Sequence, residues 1–170
     1  MKIAYTLAPG RGETNLLLAD LAEYLANQGL RLCGTVQVDT ERADDHRCDM
    51  DVKVLPEGPL IRISQSLGRE SRGCRLDPEA LEQAVAMTDA ALQGDVDLLI
   101  INKFGKHEAE GRGFRDTIGI ALERGIPIIV GANKLNLDAL QAFCGDLAEP
   151  LDADLGKLKD WVLAASTSDA

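Results

Sequence analysis

Basic side chains follow a predicted buried strand in the middle of the chain. Residues 98–101 are four consecutive aliphatic residues, a pattern typical of a strand buried on both faces of a parallel sheet. The loop behind this strand contains Asn102, Lys103, Gly105, Lys106, Arg112 and Arg115. Ligands of open parallel sheets bind beyond the carboxyl ends of the strands. Because arginine can hold a tetrahedral oxyanion through two hydrogen bonds, we predict that this loop binds a small anion.

A second candidate loop follows the first predicted strand and has part of a phosphate-binding pattern. That pattern, G-x-x-x-x-G-K-[ST], joins a strand to a helix. Gly12 takes the place of the second glycine and Thr14 that of the final residue, whereas Leu7 replaces the first glycine. Glu13 replaces the lysine whose charge normally reaches the phosphates. The candidate ligand-binding residues of this loop are Gly10, Arg11, Gly12, Glu13 and Thr14.

Two interpretations of this first loop stay open. A glutamate in the first helical turn is favourable to the helix dipole by about 0.3–1 kcal/mol, and the glycines then form a tight turn and nothing more. Alternatively the loop keeps part of a phosphate site, and the negative charge requires compensating cations. We expect the two loops to face each other, with Glu13 either turned away from the ligand or paired with Lys103 or Arg11.

The second loop also has two interpretations. Its cations are interspersed with Glu108, Glu110 and Asp116, as on an ordinary solvated surface. Three glycines within nine positions favour a site, because glycine lets the backbone approach a ligand closely. Nucleoside triphosphatases with a P-loop hold magnesium partly through an acidic residue at the end of a hydrophobic strand. Asn102 stands at that place and brings no charge, which argues against magnesium and against rapid hydrolysis.

The elements that must position these loops alternate between strands and amphipathic helices. We predict one α/β domain over residues 1–170, with strands at 3–6, 32–37, 98–101 and 128–130 adjacent in one mainly parallel sheet. Amphipathic helices are predicted to begin near residues 14, 77, 113, 137 and 154 and to flank the sheet. Short strands at 51–55 and 60–64 surround a Pro-Glu-Gly-Pro turn and predict a β-hairpin, inserted within about residues 39–76. Residues 39–47 are predicted to form a polar surface loop.

Two segments resemble known families. Residues 73–77 read Gly-Cys-Arg-Leu-Asp, and residues 102–113 read Asn-Lys-Phe-Gly-Lys-His-Glu-Ala-Glu-Gly-Arg-Gly. Both segments are similar to a bacterial family encoded beside molybdate ABC-transporter genes, and more broadly to the THEP-type nucleoside triphosphatases. The resemblance implies a P-loop NTPase-like (RecA-like) fold, and a connection with molybdenum metabolism.

Composition limits the partners and the compartment. The chain has a formal net charge of −10 and a pI near 4.6, which argues against nucleic-acid binding. It has no apolar run long enough to insert into a membrane and begins with a strand rather than a signal peptide, so we expect a cytoplasmic protein. Whether the chain forms a homo-oligomer is left open by the sequence.

Four cysteines are widely spaced and form no C-x-x-C pair. Cys33 and Cys144 lie among apolar residues and are predicted to be core thiols. Cys48 and Cys74, together with His46, fit no named metal pattern, so we predict no metal site and leave their role open.

Three functions from different classes remain. The chain is a non-hydrolytic binding protein for a nucleotide or a tetrahedral oxyanion such as molybdate, a nucleoside triphosphatase or nucleotide-dependent kinase with rearranged catalytic groups, or a ligand-free interaction protein. Glu13 and Asn102 disfavour the enzyme, and no catalytic residue can be assigned. The cluster of basic residues behind residue 101 favours the binding protein, with a small anion as its partner.

Overall fold

A seven-stranded sheet forms the centre of the fold. The computed structural model describes residues 2–10, 12–41, 48–65 and 75–167. The strands are β1 (Ile3–Thr6), β2 (Leu32–Glu41), β3 (Cys48–Leu55), β4 (Leu60–Arg62), β5 (Ser64–Gln65), β6 (Arg75–Leu76), β7 (Leu98–Ile101), β8 (Ile128–Gly131) and β9 (Ala148–Leu151). The main sheet has the order β4-β3-β2-β7-β8-β1-β9, while β5 and β6 form a separate antiparallel pair.

The parallel part of the sheet contains the four strands predicted from the sequence. β2, β7, β8 and β1 are neighbours in that order and pair in parallel. All four residues of β7 are buried, as are all four of β8, because helices cover both faces of the sheet. The predictions of an α/β class and of one mainly parallel sheet are therefore confirmed.

The antiparallel part differs from the prediction at its edges. The β3–β4 hairpin is confirmed, and β3 also pairs with β2 over the whole length from Gly34 to Glu41. The prediction of a loop at residues 39–47 is wrong for 39–41, because ladder hydrogen bonds hold even charged residues in a strand. Residues 42–47 lie outside the described ranges. β9 was not predicted, because Glu149 and Pro150 are unfavourable in a central strand. Its position at the edge of the sheet tolerates both residues.

Helices cover the two faces of the sheet in separate layers. They are α1 (Glu13–Asn27), α2 (Pro78–Leu92), α3 (Lys106–Ala109), α4 (Arg115–Glu123), α5 (Leu137–Cys144) and α6 (Leu155–Thr167). α1 and α6 pack on one face, and α2, α4 and α5 pack on the other. Among the helices of the described residues, none has the combination of length and apolar composition that a membrane crossing requires.

Local capping explains where α2 begins. Asp77 is the N-cap, and its carboxylate accepts the backbone N–H groups of Glu79 at 3.0 Å and Ala80 at 3.4 Å. Pro78 occupies the first turn, where its missing N–H costs nothing. The Asp77 N–H donates to the Ile63 carbonyl at 2.6 Å, so the helix starts beside the residue that joins β4 to β5, and its Leu81 reaches the candidate site.

Candidate functional site

The loop after β7 is built around a buried glutamate. Glu108 is 3% exposed and lies in α3, a short helix that the sequence pattern did not predict. Its carboxylate accepts the backbone N–H of Gly105 at 2.9 Å and that of Phe114 at 3.0 Å. The interpretation of Glu108 as a solvated surface charge is therefore wrong. The carboxylate instead acts as an internal anion that holds both ends of the loop together.

The same carboxylate changes the role of the loop glycines. A Cβ atom on Gly113 would lie 1.7 Å from Glu108 Oε2, and Gly113 has a left-handed φ of 62°. Gly113 therefore does allow a close approach to the backbone, as predicted, but the approaching group is the Glu108 carboxylate and not a ligand. The predicted helix start near Gly113 also needs correction, because α4 begins at Arg115 and the Phe114 N–H is already bonded.

Asn102 connects three elements at the end of β7. It is 4% exposed, and its Oδ1 accepts the backbone N–H of Gln37 at 2.9 Å. Its Nδ2 donates to Asn15 Oδ1 in the first turn of α1 at 2.9 Å, and to Gln37 Oε1 at 3.3 Å. An amide side chain can both donate and accept hydrogen bonds, whereas an ionised carboxylate can only accept them. Asn102 therefore has a structural role at the place where a magnesium-binding acid would stand.

The first loop is closed by its own side chains. Glu13 Oε2 accepts the backbone N–H of Gly10 at 3.2 Å, and Thr14 Oγ1 accepts that of Ala8 at 2.9 Å. A Cβ atom on Gly10 would lie 2.3 Å from Glu13 Oε1, which shows how closely the carboxylate covers the loop. Gly12 has a φ of 77° and precedes α1, as a tight turn requires.

Glu13 and Lys103 form no ion pair within the part of the chain that the structure describes. Arg11, the other predicted partner of Glu13, lies outside the described residues. β8 lies between the strands that precede the two loops, and the Asn102 side chain donates to Asn15 Oδ1 at 2.9 Å, which connects the end of β7 to the first turn of α1. That the two loops face each other across one cleft stays a prediction.

The four predicted cations of the second loop have different surroundings. Arg112 pairs with Glu110, and Lys106 Nζ lies 4.0 Å from a Glu110 oxygen. The Arg115 guanidinium lies 4.8 Å from the centre of the Phe143 ring, a cation–π contact. The Lys103 side chain is exposed and forms no hydrogen bond or ion pair within the described ranges.

A cavity of about 350 Å³ opens on the α2 face of the sheet, beyond the carboxyl end of β7 and beside the middle of β2. Of the predicted site residues, it is lined by Asn102, Lys103, Gly105 and Lys106. The predicted residues Gly10, Gly12, Glu13, Thr14, Arg112 and Arg115 do not line it. The other lining residues are Thr35, Gln37, Met50, Val52, Ile63, Leu76, Leu81, His107, Glu108, Phe114, Asn133, Leu135 and Asn136. The structure therefore brings together the second loop and the antiparallel strands, and leaves the first loop outside the cavity.

Some of these lining residues had a signal in the sequence. Asn133 and Asn136 follow the aliphatic strand β8, so the rule for the ends of parallel strands applies to them as it does to Asn102. Met50 and Val52 had no such signal, because their position depends on how β3 pairs with β2. Cys74 and His46 lie outside the described residues, while Cys33 and Cys144 are buried free thiols, as predicted.

Two solved structures have a similar fold. The chain is similar to a human cancer-related nucleoside triphosphatase, with a TM-score of 0.65 and 17% identity over 100% of both chains. It is also similar to THEP1 from the hyperthermophile Aquifex aeolicus, with a TM-score of 0.56 and 17% identity over 96% of both chains. At that identity the likeness defines the fold alone: the chain shares with these two proteins an α/β fold built on a mixed, mostly parallel sheet.

The chain belongs to the family "Protein of unknown function (DUF2478)", which matches residues 3–161. A curated relative is the molybdenum import ATP-binding protein ModC 2 of Bradyrhizobium diazoefficiens, 32% identical over 160 residues. That match includes 94% of this chain and spans 18% of the relative's length.

Proposed function

We propose that this protein binds a nucleotide or a tetrahedral oxyanion at the loop after β7, with little or no hydrolysis. The observation that carries the proposal is the Glu13 carboxylate, which accepts the Gly10 N–H at 3.2 Å inside the loop that would otherwise hold phosphates. A phosphate at that loop would have to displace this carboxylate and overcome its negative charge.

The groups expected for hydrolysis support the same conclusion. Glu13 stands in place of the P-loop lysine, and the side-chain amide of Asn102 forms hydrogen bonds with Gln37 and Asn15. Glu13 cannot supply the positive charge that stabilises phosphoryl transfer, and Asn102 lacks the negative charge of the usual magnesium-binding acid. The first loop therefore lacks the cation, and the end of β7 lacks the acid, that phosphoryl transfer normally uses.

An anion is better accommodated at the second loop. Lys103 and His107 line the cavity, and neither side chain has a hydrogen-bond or ion-pair partner within residues 2–10, 12–41, 48–65 and 75–167. The Glu108 carboxylate lies nearby, but both of its oxygens face backbone N–H donors. In an acidic chain, a lysine and an imidazole at the cavity, neither with a partner among the described residues, favour an anionic ligand.

The relative named for molybdenum import motivates the choice of oxyanions to test. Molybdate and tungstate therefore belong among the ligands to be tested, beside phosphate, ADP and ATP. The expected result in calorimetry is binding of at least one of these anions, weakened about tenfold by Lys103→Gln through loss of a charge-assisted hydrogen bond. Lys53→Gln is the matched control, because Lys53 is exposed and absent from the cavity lining. If none of the anions binds, the interaction-protein alternative replaces this proposal.

Hydrolysis is tested separately. With magnesium present, phosphate release from ATP or GTP should stay near the background rate. Turnover that Thr14→Ala abolishes would contradict the proposal and would favour a nucleoside triphosphatase with rearranged catalytic groups.

Glu13→Lys tests whether the first loop is closed by its own carboxylate. The substitution releases the Gly10 N–H and restores a cation at the P-loop position, so we expect phosphate or nucleotide binding to become stronger. Glu23→Lys makes the same charge change at an exposed position of α1 and should have little effect. If both variants gained the same affinity for phosphate or nucleotide, the change in net charge would be responsible, and the Glu13 carboxylate would not close the first loop.

A further inference from the structure

The cavity beside the second loop has a polar end and an apolar wall. Lys103 and Lys106 stand at one end, while Met50, Val52 and Leu76 come from the antiparallel part of the sheet and from β6. A bare tetrahedral oxyanion would contact the cations and make no use of the apolar side chains. The composition of the lining therefore indicates a ligand with an anionic group and an apolar body.

The cavity also offers an aromatic surface and polar groups. Phe114 lines it, and a flat ring can pack against a phenyl group. Thr35 and Asn133 both line the cavity, and Asn133 is partly exposed. Asn133 Oδ1 accepts two hydrogen bonds from Asn136, whereas Asn133 Nδ2 has no hydrogen bond to any described residue. An amide donor of this kind suits a heteroatom of a ring.

We propose that the cavity binds a mononucleotide-sized organic phosphate, with its phosphate at Lys103 and Lys106 and its heteroaromatic ring against Phe114 and Met50. A volume of about 350 Å³ is within the range of small-molecule sites and leaves room for a ring as well as a phosphate. The inference rests on the proposed function, and it favours a nucleotide over a bare oxyanion. It places the ligand on the α2 face of the sheet, away from the loop that Glu13 closes.

The test compares AMP and GMP with ribose 5-phosphate, adenosine, inorganic phosphate and molybdate by calorimetry on the full chain. We expect a mononucleotide to bind at least about tenfold more tightly than either ribose 5-phosphate or inorganic phosphate, because only the nucleotide uses both ends of the cavity. Lys103→Gln should weaken it by about tenfold, and Lys53→Gln should leave it unchanged.

Two further variants test where the ring lies. Met50→Trp fills the apolar wall and should weaken mononucleotide binding by about tenfold, with thermal unfolding as the check that the variant folds. Leu135→Glu provides a second variant, because Leu135 is 93% exposed at the rim and its replacement leaves the core intact. A carboxylate there should weaken the binding of the anionic nucleotide more than that of uncharged adenosine.

The outcomes separate this inference from the proposed function. Binding of phosphate or molybdate as tight as that of AMP and GMP overturns the inference and leaves the proposed function standing. Equal binding of a mononucleotide to the wild type, Met50→Trp and Leu135→Glu would mean that the nucleotide binds outside this cavity. That result also overturns the inference. If none of these anions, ADP or ATP binds, both proposals fail.

Discussion

Glu108 and Glu13 give the two loops the same chemical arrangement. Each carboxylate accepts backbone N–H groups of its own loop, from Gly105 and Phe114 in one case and from Gly10 in the other. Loop N–H groups need an acceptor, and an anion provides the strongest one. A negatively charged side chain in the loop can therefore occupy the donors that a phosphate would otherwise use.

The close approach of Gly113 to Glu108 leads to a stability prediction. Gly113→Ala would place a methyl group 1.7 Å from Glu108 Oε2 at a φ of 62°, so the carboxylate must move and lose its hydrogen bonds. We expect a loss of about 3 kcal/mol or more in the free energy of unfolding, measured with urea. Gly125→Ala is the matched control, because its φ is 73° and its Cβ would meet open space. A loss of about 1–2 kcal/mol is expected there, and equal losses in the two variants would contradict the role assigned to Glu108.

Burial also determines the chemistry of one core thiol. The Cys33 Sγ–H donates to the Thr88 carbonyl at 3.4 Å, and desolvation raises the pKa of the thiol to about 11. Because the thiolate is the nucleophile, Cys33 is a structural residue rather than a reactive one.

At the scale of the elements, the contact between β2 and β7 depends on a glycine. Gly34 has a φ of 110°, and a Cβ atom there would lie 1.9 Å from the Ile100 carbonyl oxygen. A backbone atom cannot move aside as a flexible side chain can. Gly34 therefore lets the antiparallel half of the sheet join the parallel half, which places Met50 and Val52 at the cavity.

Two glycine substitutions should have opposite effects on stability. Gly34→Ala should cost about 3 kcal/mol or more, because it adds a backbone collision to a left-handed φ. Gly119→Ala should stabilise the protein by about 0.5–1 kcal/mol, because Gly119 lies inside α4 with open space around its Cβ position. Denaturant unfolding measures both changes. Should Gly34→Ala be tolerated as well as Gly119→Ala, the two halves of the sheet do not meet as described.

At the scale of the whole molecule, an ion pair holds the end of the sheet opposite the site. Arg31 and Asp97 immediately precede β2 and β7, and the Arg31 side chain donates to Asp97 Oδ1 at 3.1 Å and to Oδ2 at 3.2 Å. The backbone N–H of Arg31 also donates to Asp97 Oδ2 at 2.7 Å. The side-chain hydrogen bond from Arg31 is the main cause of a lowered pKa at the Asp97 carboxyl.

This lowered pKa predicts how stability depends on pH. The folded pKa of Asp97 is below its unfolded value of about 3.9, so its stabilising contribution is present above that value and is lost as the pH falls through the folded pKa. Asp97→Asn should therefore destabilise the protein more at pH 7 than at pH 3. Asp20→Asn, at an exposed position of α1, is the matched control for the loss of one carboxylate. Urea unfolding at both pH values provides the measurement, and a pH-independent cost of Asp97→Asn would contradict this account.

The sequence alone determined the parallel strands, most of the helix positions and the β3–β4 hairpin. Aliphatic runs such as Leu98–Ile101 and helical periodicity are local patterns, and burial on one or two faces is their direct physical consequence. The sequence also determined that the first loop lacks the lysine of a P-loop, because that conclusion depends on residue identity at one position.

Only the tertiary structure decided what each polar residue contacts. In the sequence, Gly113 and Asn102 had ligand-related roles and Glu108 was interpreted as a surface charge. Their partners are instead backbone N–H groups and side chains of the protein itself. The strand at residues 39–41, β9 and the cavity wall at Met50 depend on pairing between segments distant in the chain. Such pairing is set by long-range packing and hydrogen bonding, which no local pattern of side chains records.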